Sequence, residues 1–238
     1  MKWLPVGLVL VLMSGAVAQE QVEAVGFKGG GIKVGMAFAS LSTDVHEFKE
    51  AGSATGFTIG AFGTYNITPA LAIQPEVLYV RKGSGEVDLL TSGGFRLSYL
   101  EIPLLVKYDL VRTGKTIPRL YLGPAAGILL GANLYYHGFF TDYDHGVKDG
   151  MKSLDLCLVF GGEVEITSVR IGRLMVDVRY SLGLSSAVDA AEWNDAAKPV
   201  DEGFFWPYPV FEEYDRPHLE DDASAKNQVF SIMVGYRF

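Results

Sequence analysis

The chain is poor in most of the residues that build reactive sites. Among its 238 residues there is one cysteine, Cys157, so no intrachain disulfide can form and a cysteine-only metal cluster is excluded. Histidine occurs four times, and Asp, Glu, Lys and Arg together make up only 20% of the chain. Basic residues are the minority of those charges, and the net charge of −8 argues against a nucleic-acid binder, which needs a basic surface. Long apolar runs are missing as well. The longest beyond the N-terminus, residues 120–132, is broken by Gly123, Pro124, Gly127 and Gly131, and a spanning helix needs about 20 apolar residues. What the chain does have is 28 glycines and 49% hydrophobic residues. That pairing disfavours a mostly helical fold.

The N-terminus reads as a secretory signal. Lys2 supplies the positive start, Leu4 to Met13 an apolar segment, and Ala16-Val17-Ala18 a small-x-small site that predicts cleavage before Gln19. An uncleaved anchor is the alternative, disfavoured because the apolar segment is too short to span. The expected organisation is a signal peptide over 1–18, a periplasmic segment over 19–30 and one domain over 31–238.

That domain repeats a pattern of roughly ten residues alternating apolar and small or polar, as transmembrane strands do. Eight runs are predicted, at 31–41, 55–67, 71–82, 97–108, 119–132, 153–166, 173–184 and 227–238. In the first, Ile32, Val34, Met36 and Phe38 face one way, and Lys33, Gly35, Ala37 and Ala39 the other. In the last, Phe230, Ile232, Val234, Tyr236 and Phe238 oppose Ser231, Gly235 and Arg237. Gly161-Gly162 is a candidate bulge that leaves the parity beyond it open. Eleven strand residues tilted by ~40° span about 27 Å, close to the apolar band of an outer membrane. The predicted fold is therefore all-β, an eight-stranded antiparallel up-and-down transmembrane β-barrel.

A soluble barrel also alternates, with its apolar face inward. Here the other face is chiefly small residues carrying five basic groups, Lys33, Lys107, Arg119, Arg179 and Arg237, and five acidic ones, Glu76, Glu101, Asp155, Glu163 and Asp177. That balance suits a filled, neutralised interior, because buried charges must be paired. The ten are predicted to form an interior polar network of structural role. A proton or ion path is the alternative, less suited to so narrow a barrel. The intervening segments alternate in length. Residues 42–54, 83–96, 133–152 and 185–226 are long, and 67–70, 109–118 and 167–172 are shorter. Long loops outside and short turns in the periplasm give that pattern.

The last long loop, 185–226, holds eleven acidic residues against Lys198, Arg216 and Lys226, a local charge equal to the whole chain's −8. It also holds Trp193, Phe204, Phe205, Trp206, Tyr208, Phe211 and Tyr214. Such a loop reads as a folded cap, as a surface for an extracellular ligand or protein, or as a mobile acidic surface.

Tyr99-Leu100-Glu101-Ile102-Pro103-Leu104-Leu105-Val106-Lys107-Tyr108 resembles a strand of the PorT-like porin-family barrels of Bacteroidetes-type bacteria. Leu120 to Gly127, Asp177 to Leu184, and Gly235-Tyr236-Arg237-Phe238 resemble further strands of that family. The resemblance covers essentially the mature chain. It implies the outer membrane as location, its lipid as surroundings, and insertion by the barrel assembly machinery through a C-terminal signal at Tyr236 and Phe238. The long acidic loop departs from the shorter loops expected.

Chemistry is sparse. His46, His137, His145 and His218 all fall in predicted external loops, so no Ser–His–acid arrangement is legible. Asp142, Asp144 and His145, or Glu220-Asp221-Asp222, could touch a metal, but neither matches a complete ligand spacing. No cofactor and no metal are expected. The leading expectation is a non-enzymatic barrel with a structural or surface-interaction role. The alternatives are a small-solute channel, a lipid-modifying enzyme and a secretion-accessory barrel.

Overall fold

A computed structural model describes residues 25–43, 53–87, 92–111, 114–137, 142–146, 148, 151–168, 172–196 and 224–238. The predicted signal peptide, His46, His218, the Glu220–Asp222 cluster and residues 197–223 of the acidic loop lie outside them. The strands are β1 (Gly26–Thr43), β2 (Ala54–Asn66), β3 (Leu71–Val87), β4 (Ser92–Asp109), β5 (Thr116–His137), β6 (Asp142–Gly146), β7 (Leu154–Ser168), β8 (Gly172–Gly183) and β9 (Ala225–Arg237). One short helix, α1 (Ala190–Ala196), follows β8.

Every pairing is antiparallel, and β4 pairs with β5 while β1 pairs with β9. The sheet thus closes on itself as an eight-stranded antiparallel barrel of β1 to β5 and β7 to β9. Among the described residues β6 is an extra strand that pairs only with the far end of β5, matching Asn133 to Gly146 and His137 to Asp142. Closure removes the exposed strand edges that an open sheet would present.

The eight runs read from alternation all become barrel strands, and all but β2 and β8 are longer than the runs. Residues 83–87 pair with 92–96, and 133–137 with 142–146. Two segments expected as external loops, 83–96 and 133–152, are therefore partly β-hairpin, and His137 and His145 sit on strands. Beyond the apolar band neither face meets lipid, so sequence there has no reason to alternate and the strand signal fades. Gly161 and Gly162 pair in unbroken register with Tyr121 and Leu120, and with Arg179 and Val178, so no bulge lies there. The register shifts instead opposite Ser98/Tyr99, where Tyr99 meets Leu129 and Ser98 meets Gly131. One residue is added on β5, which turns Ala132 inward and moves Gly131 off the inward face expected of it. A second shift falls between Phe27 and Gly29. Gly29 has φ +118°, and a Cβ there would stand 2.7 Å from the carbonyl of Phe238, so glycine suits this site alone.

The two faces of the barrel are chemically opposite. Ile32, Val34, Met36, Ile59, Val77, Leu104, Leu122, Ile128, Leu156, Val176, Ile232 and Val234 are outward and 43–56% exposed. Aromatic rings edge this belt. Phe38–Phe230, Phe57–Tyr79 and Phe160–Tyr180 pair at 6.3, 5.5 and 5.5 Å toward the loop end. Phe27, Tyr65, Tyr108, Tyr236 and Phe238 ring the turn end. In water so continuous an apolar surface would drive association, whereas between two aromatic girdles it is the lipid face of an outer-membrane barrel. Among the described residues no helix is long and apolar enough to cross a membrane.

Candidate functional site: a sealed lumen and its cap

Strand parity puts the charged side chains inside. Six basic groups (Lys33, Lys82, Lys107, Arg119, Arg179, Arg237) and seven acidic ones (Glu76, Glu101, Asp109, Asp155, Glu163, Glu165, Asp177) are buried. All ten residues named from sequence are among them, and three others, Lys82, Asp109 and Glu165, pair with members of the set. Lys33 is the hub. Its Nζ donates to Glu76 Oε1 at 3.1 Å, Glu163 Oε2 at 3.1 Å and Asp177 Oδ2 at 2.5 Å. Lys107 Nζ donates to the same Glu163 oxygen at 2.7 Å. Arg179 Nη1 donates to Glu76 Oε2 and its Nη2 to Asp177 Oδ2, both at 2.8 Å. Tyr121 Oη donates to Asp177 Oδ1 at 2.5 Å.

Toward the turn end Arg119 bonds Asp109 at 2.6 Å, Glu165 at 2.7 Å and Glu163 at 3.3 Å, and Arg237 pairs with Glu165. Toward the loop end Lys82 pairs with Glu101 at 2.5 Å and Asp155 at 3.2 Å, while Asn227 Nδ2 donates to Asp155 at 2.8 Å.

The span of these bonds matters more than their number. β3 and β8 lie four strands apart whichever way the ring is followed. The Glu76–Arg179 bridge therefore crosses the full diameter. Lys33 on β1 reaches Glu163 on β7, three strands away, and Lys82 on β3 reaches Asp155 on β7 at a second level. Eight strands leave a lumen that side chains fill, and charge-assisted bonds hold that filling in one geometry. Aromatic rings cover the cations: Lys33 lies 5.1 Å from the Phe62 centroid and Lys82 4.6 Å from that of Tyr99.

Sequence reasoning left out three members. Lys82 shares the parity of Gln74 and Glu76, but Leu78 and Val80 between them are apolar and buried, which hid it. Asp109 was placed in a turn. Glu165 lay past the doubted Gly161-Gly162. The inner face also holds more apolar volume than expected, including Leu97, Tyr99 and Leu129 near the mouth and a cluster of Leu105, Tyr121, Ala125, Val159 and Cys157 lower down. Cys157, 2% exposed, is one of its small interior members.

The mouth is capped by the start of the acidic loop. Met151 bridges Val188, Lys152 N donates to Ala187 O at 2.9 Å, and Ala187 N donates to Ala225 O at 2.7 Å. Val188, Ala190 and Met151 pack on Leu97, Tyr99, Leu129, Ala132 and Ala225. Asp189 precedes α1 and its Oδ1 accepts from Glu192 N at 3.5 Å, in the manner of an N-cap. The described part of the loop is thus a folded cap, with an apolar plug beneath it and the ionic layers beneath that. No group of three or more His, Cys, Asp or Glu side chains among the described residues is placed to hold a metal.

Among known proteins, one family model and several solved structures are similar to this chain. Three solved structures similar to it are Neisserial surface protein A (16% identity, TM-score 0.46, 90% of this chain and 99% of that one), Ail, the attachment invasion locus protein of Yersinia pestis (13%, 0.41, 90% and 100%), and the outer membrane protein OprG of Pseudomonas aeruginosa (13%, 0.41, 90% and 98%). No curated protein matches the sequence. The family model of the outer membrane protein beta-barrel domain matches residues 18–189, and the chain belongs to that family, a β-barrel protein of the bacterial outer membrane.

Proposed function

We propose that this is a non-conducting, non-enzymatic outer-membrane barrel that acts through what it presents outside the cell, on a rigid sealed stem. The observation that carries the reading is the Glu76–Arg179 bridge across the diameter, with a second ionic level and an apolar plug above it. A solute would have to break several buried charge pairs to pass. The buried charges of the lumen are paired with one another, which leaves the external loops as the surface for recognition. The acidic, aromatic-rich loop 185–226 is the segment to which we assign contact with an extracellular ligand or protein. The YLEIPLLVKY-type strand supports the PorT-like branch within the family, and the N-terminal pattern supports export with cleavage before Gln19.

Planar-bilayer recording separates this from the small-solute channel. Wild-type protein is expected to give no steady unit conductance, and reproducible openings of constant size overturn the proposal. Deleting residues 197–223 is expected to leave the heat-modifiable gel mobility of a folded barrel unchanged, because every described barrel pairing lies outside the deletion. Binding of the truncated protein to cells or matrix that retain the full chain is expected to vanish. Equal binding would move the recognition surface to other loops.

A further inference from the structure

Charge is unevenly spread along the axis of the lumen. In the middle layer Lys33, Lys107 and Arg179 face Glu76, Glu163 and Asp177, three against three. At the loop end Lys82 faces Glu101 and Asp155. At the turn end the sign reverses. Arg119 and Arg237 are joined there by Lys28 and Arg173, while Asp109 and Glu165 are the acids of that level. Glu163 also reaches Arg119, at 3.3 Å, but it is shared with Lys33 and Lys107. Among the described residues, four cations against two acids leave the turn-end mouth positive.

The register puts like charges face to face. Arg173 on β8 pairs directly with Arg237 on β9. Arg173 has the parity of the buried Met175 and Asp177, and Arg237 is itself buried, so both are on the inner face. Like charges directly opposite on one face of a sheet are destabilising. Lys28 adds to them. It is the extra residue at the shift between Phe27 and Gly29, within electrostatic reach of Arg119 and Arg237.

Donors are left over as well. Arg119 Nη1 and Arg237 Nη2 bond the two oxygens of one carboxylate, that of Glu165. Among the described residues Arg119 Nη2 and Arg237 Nε have no hydrogen-bond partner, although Arg119 and Arg237 are only 5% and 2% exposed. A buried donor without an acceptor is costly, and more so when it is charged. One oxyanion among these guanidiniums answers both costs. It screens the Arg173–Arg237 repulsion and accepts from the two unpartnered groups, which the forked geometry of arginine suits. Lys28 and Arg173 are half-buried, so the way in from the periplasmic side lies between them.

We propose that the turn-end mouth of the lumen is an oxyanion site, in which Arg119, Arg173 and Arg237 hold one phosphate or carboxylate group and Lys28 adds charge at the rim. The lumen beyond it is filled by side chains, so the site admits a small ion or the end of a chain and lets neither pass. The two sources of such a group are free inorganic phosphate and the carboxyl terminus of a peptide.

The test titrates the folded chain, in uncharged maltoside detergent and phosphate-free buffer, with inorganic phosphate, acetyl-alanine and acetyl-alanine amide, by calorimetry. Wild type and Lys115→Gln, a control at an exposed turn, are expected to bind phosphate or acetyl-alanine, and the tighter of the two names the source. The amide, which lacks the carboxylate, is expected not to bind. Arg173→Gln and Lys28→Gln are each expected to weaken binding about tenfold. The bound anion is also expected to raise the urea midpoint of wild type more than that of Arg173→Gln, which has lost the repulsion that the anion relieves. Absence of binding of either anion to wild type, unchanged binding in Arg173→Gln, or equal binding of the amide overturns the site. Heat-modifiable mobility shows each protein to be folded before titration.

Discussion

Replacing Lys33 with methionine lowers the unfolding free energy of the barrel by roughly 3–5 kcal/mol, the cost of leaving a buried ion cluster without its partner. Lys33 Nζ touches three carboxylates, those of Glu76, Glu163 and Asp177, and its side chain is fully buried. Without it Arg179, Lys107 and Arg119 must offset all three acids. Methionine is one atom shorter than lysine and fills most of its volume, so the loss is chiefly electrostatic. Adding Asp177→Asn removes one of the orphaned charges, and the double variant is expected to recover about 1 kcal/mol or more against the sum of the singles. Urea titration of the folded fraction, read by mobility of unboiled samples, measures both. A wild-type midpoint for Lys33→Met would mean that the network contributes nothing to holding the barrel together.

The second large effect is at the seam that closes the ring. Gly35 on β1 pairs with Met233 on β9 and with Thr58 on β2. A Cβ at this position would lie 2.1 Å from the carbonyl oxygen of Ile232 and 2.5 Å from Cγ of Met233. The first is backbone of the last strand and cannot swing aside. Gly35→Val therefore forces β1 and β9 apart where closure is completed. Overpacking of this kind costs ~1–3 kcal/mol, and the folded-to-unfolded ratio is expected to fall about fivefold or more. Gly131→Ala is the control, since nothing lies within 4 Å of a Cβ there. Equal yields from the two variants would mean that β1 and β9 do not pack in this register.

The barrel was largely legible in the sequence because a sheet between lipid and a filled lumen imposes a period of two on every strand. Ile32 to Phe38 and Phe230 to Phe238 could be assigned to faces from that period alone. The same reasoning put ten charges inside, and it missed Lys82 because Leu78 and Val80 share its face. What could not be read is whatever depends on two strands at once. The shift opposite Ser98/Tyr99 is a difference in count between β4 and β5, and it turns Gly131 away from Gly123 and Gly127 although the spacing on β5 is regular. Gly161 and Gly162 looked like a bulge in one strand, yet their partners keep register. Gly161 instead makes space for the Tyr121 hydroxyl, 2.5 Å from where its Cβ would be. The β5–β6 hairpin and the long β3–β4 hairpin escaped because alternation lapses above the membrane. The cap formed by Val188 and Ala190 could be anticipated as a possibility for the loop, but not placed, because it rests on contacts with Met151, ahead of β7, and Leu129 on β5.

The orientation of the two faces is the centre of this structure, and spin labels report it directly. In a Cys157→Ser background, labels are placed at Val34→Cys and Val176→Cys, outward and 49% and 43% exposed, and at Ser231→Cys, inward and 5% exposed. The protein is reconstituted in bilayers, and collision with oxygen, which partitions into lipid, is compared with collision with a water-soluble nickel chelate. The expected result is high oxygen and negligible nickel accessibility at positions 34 and 176, with both low at position 231. High nickel accessibility at 34 and 176 would put the apolar belt in water and contradict a membrane barrel with a sealed, charged interior.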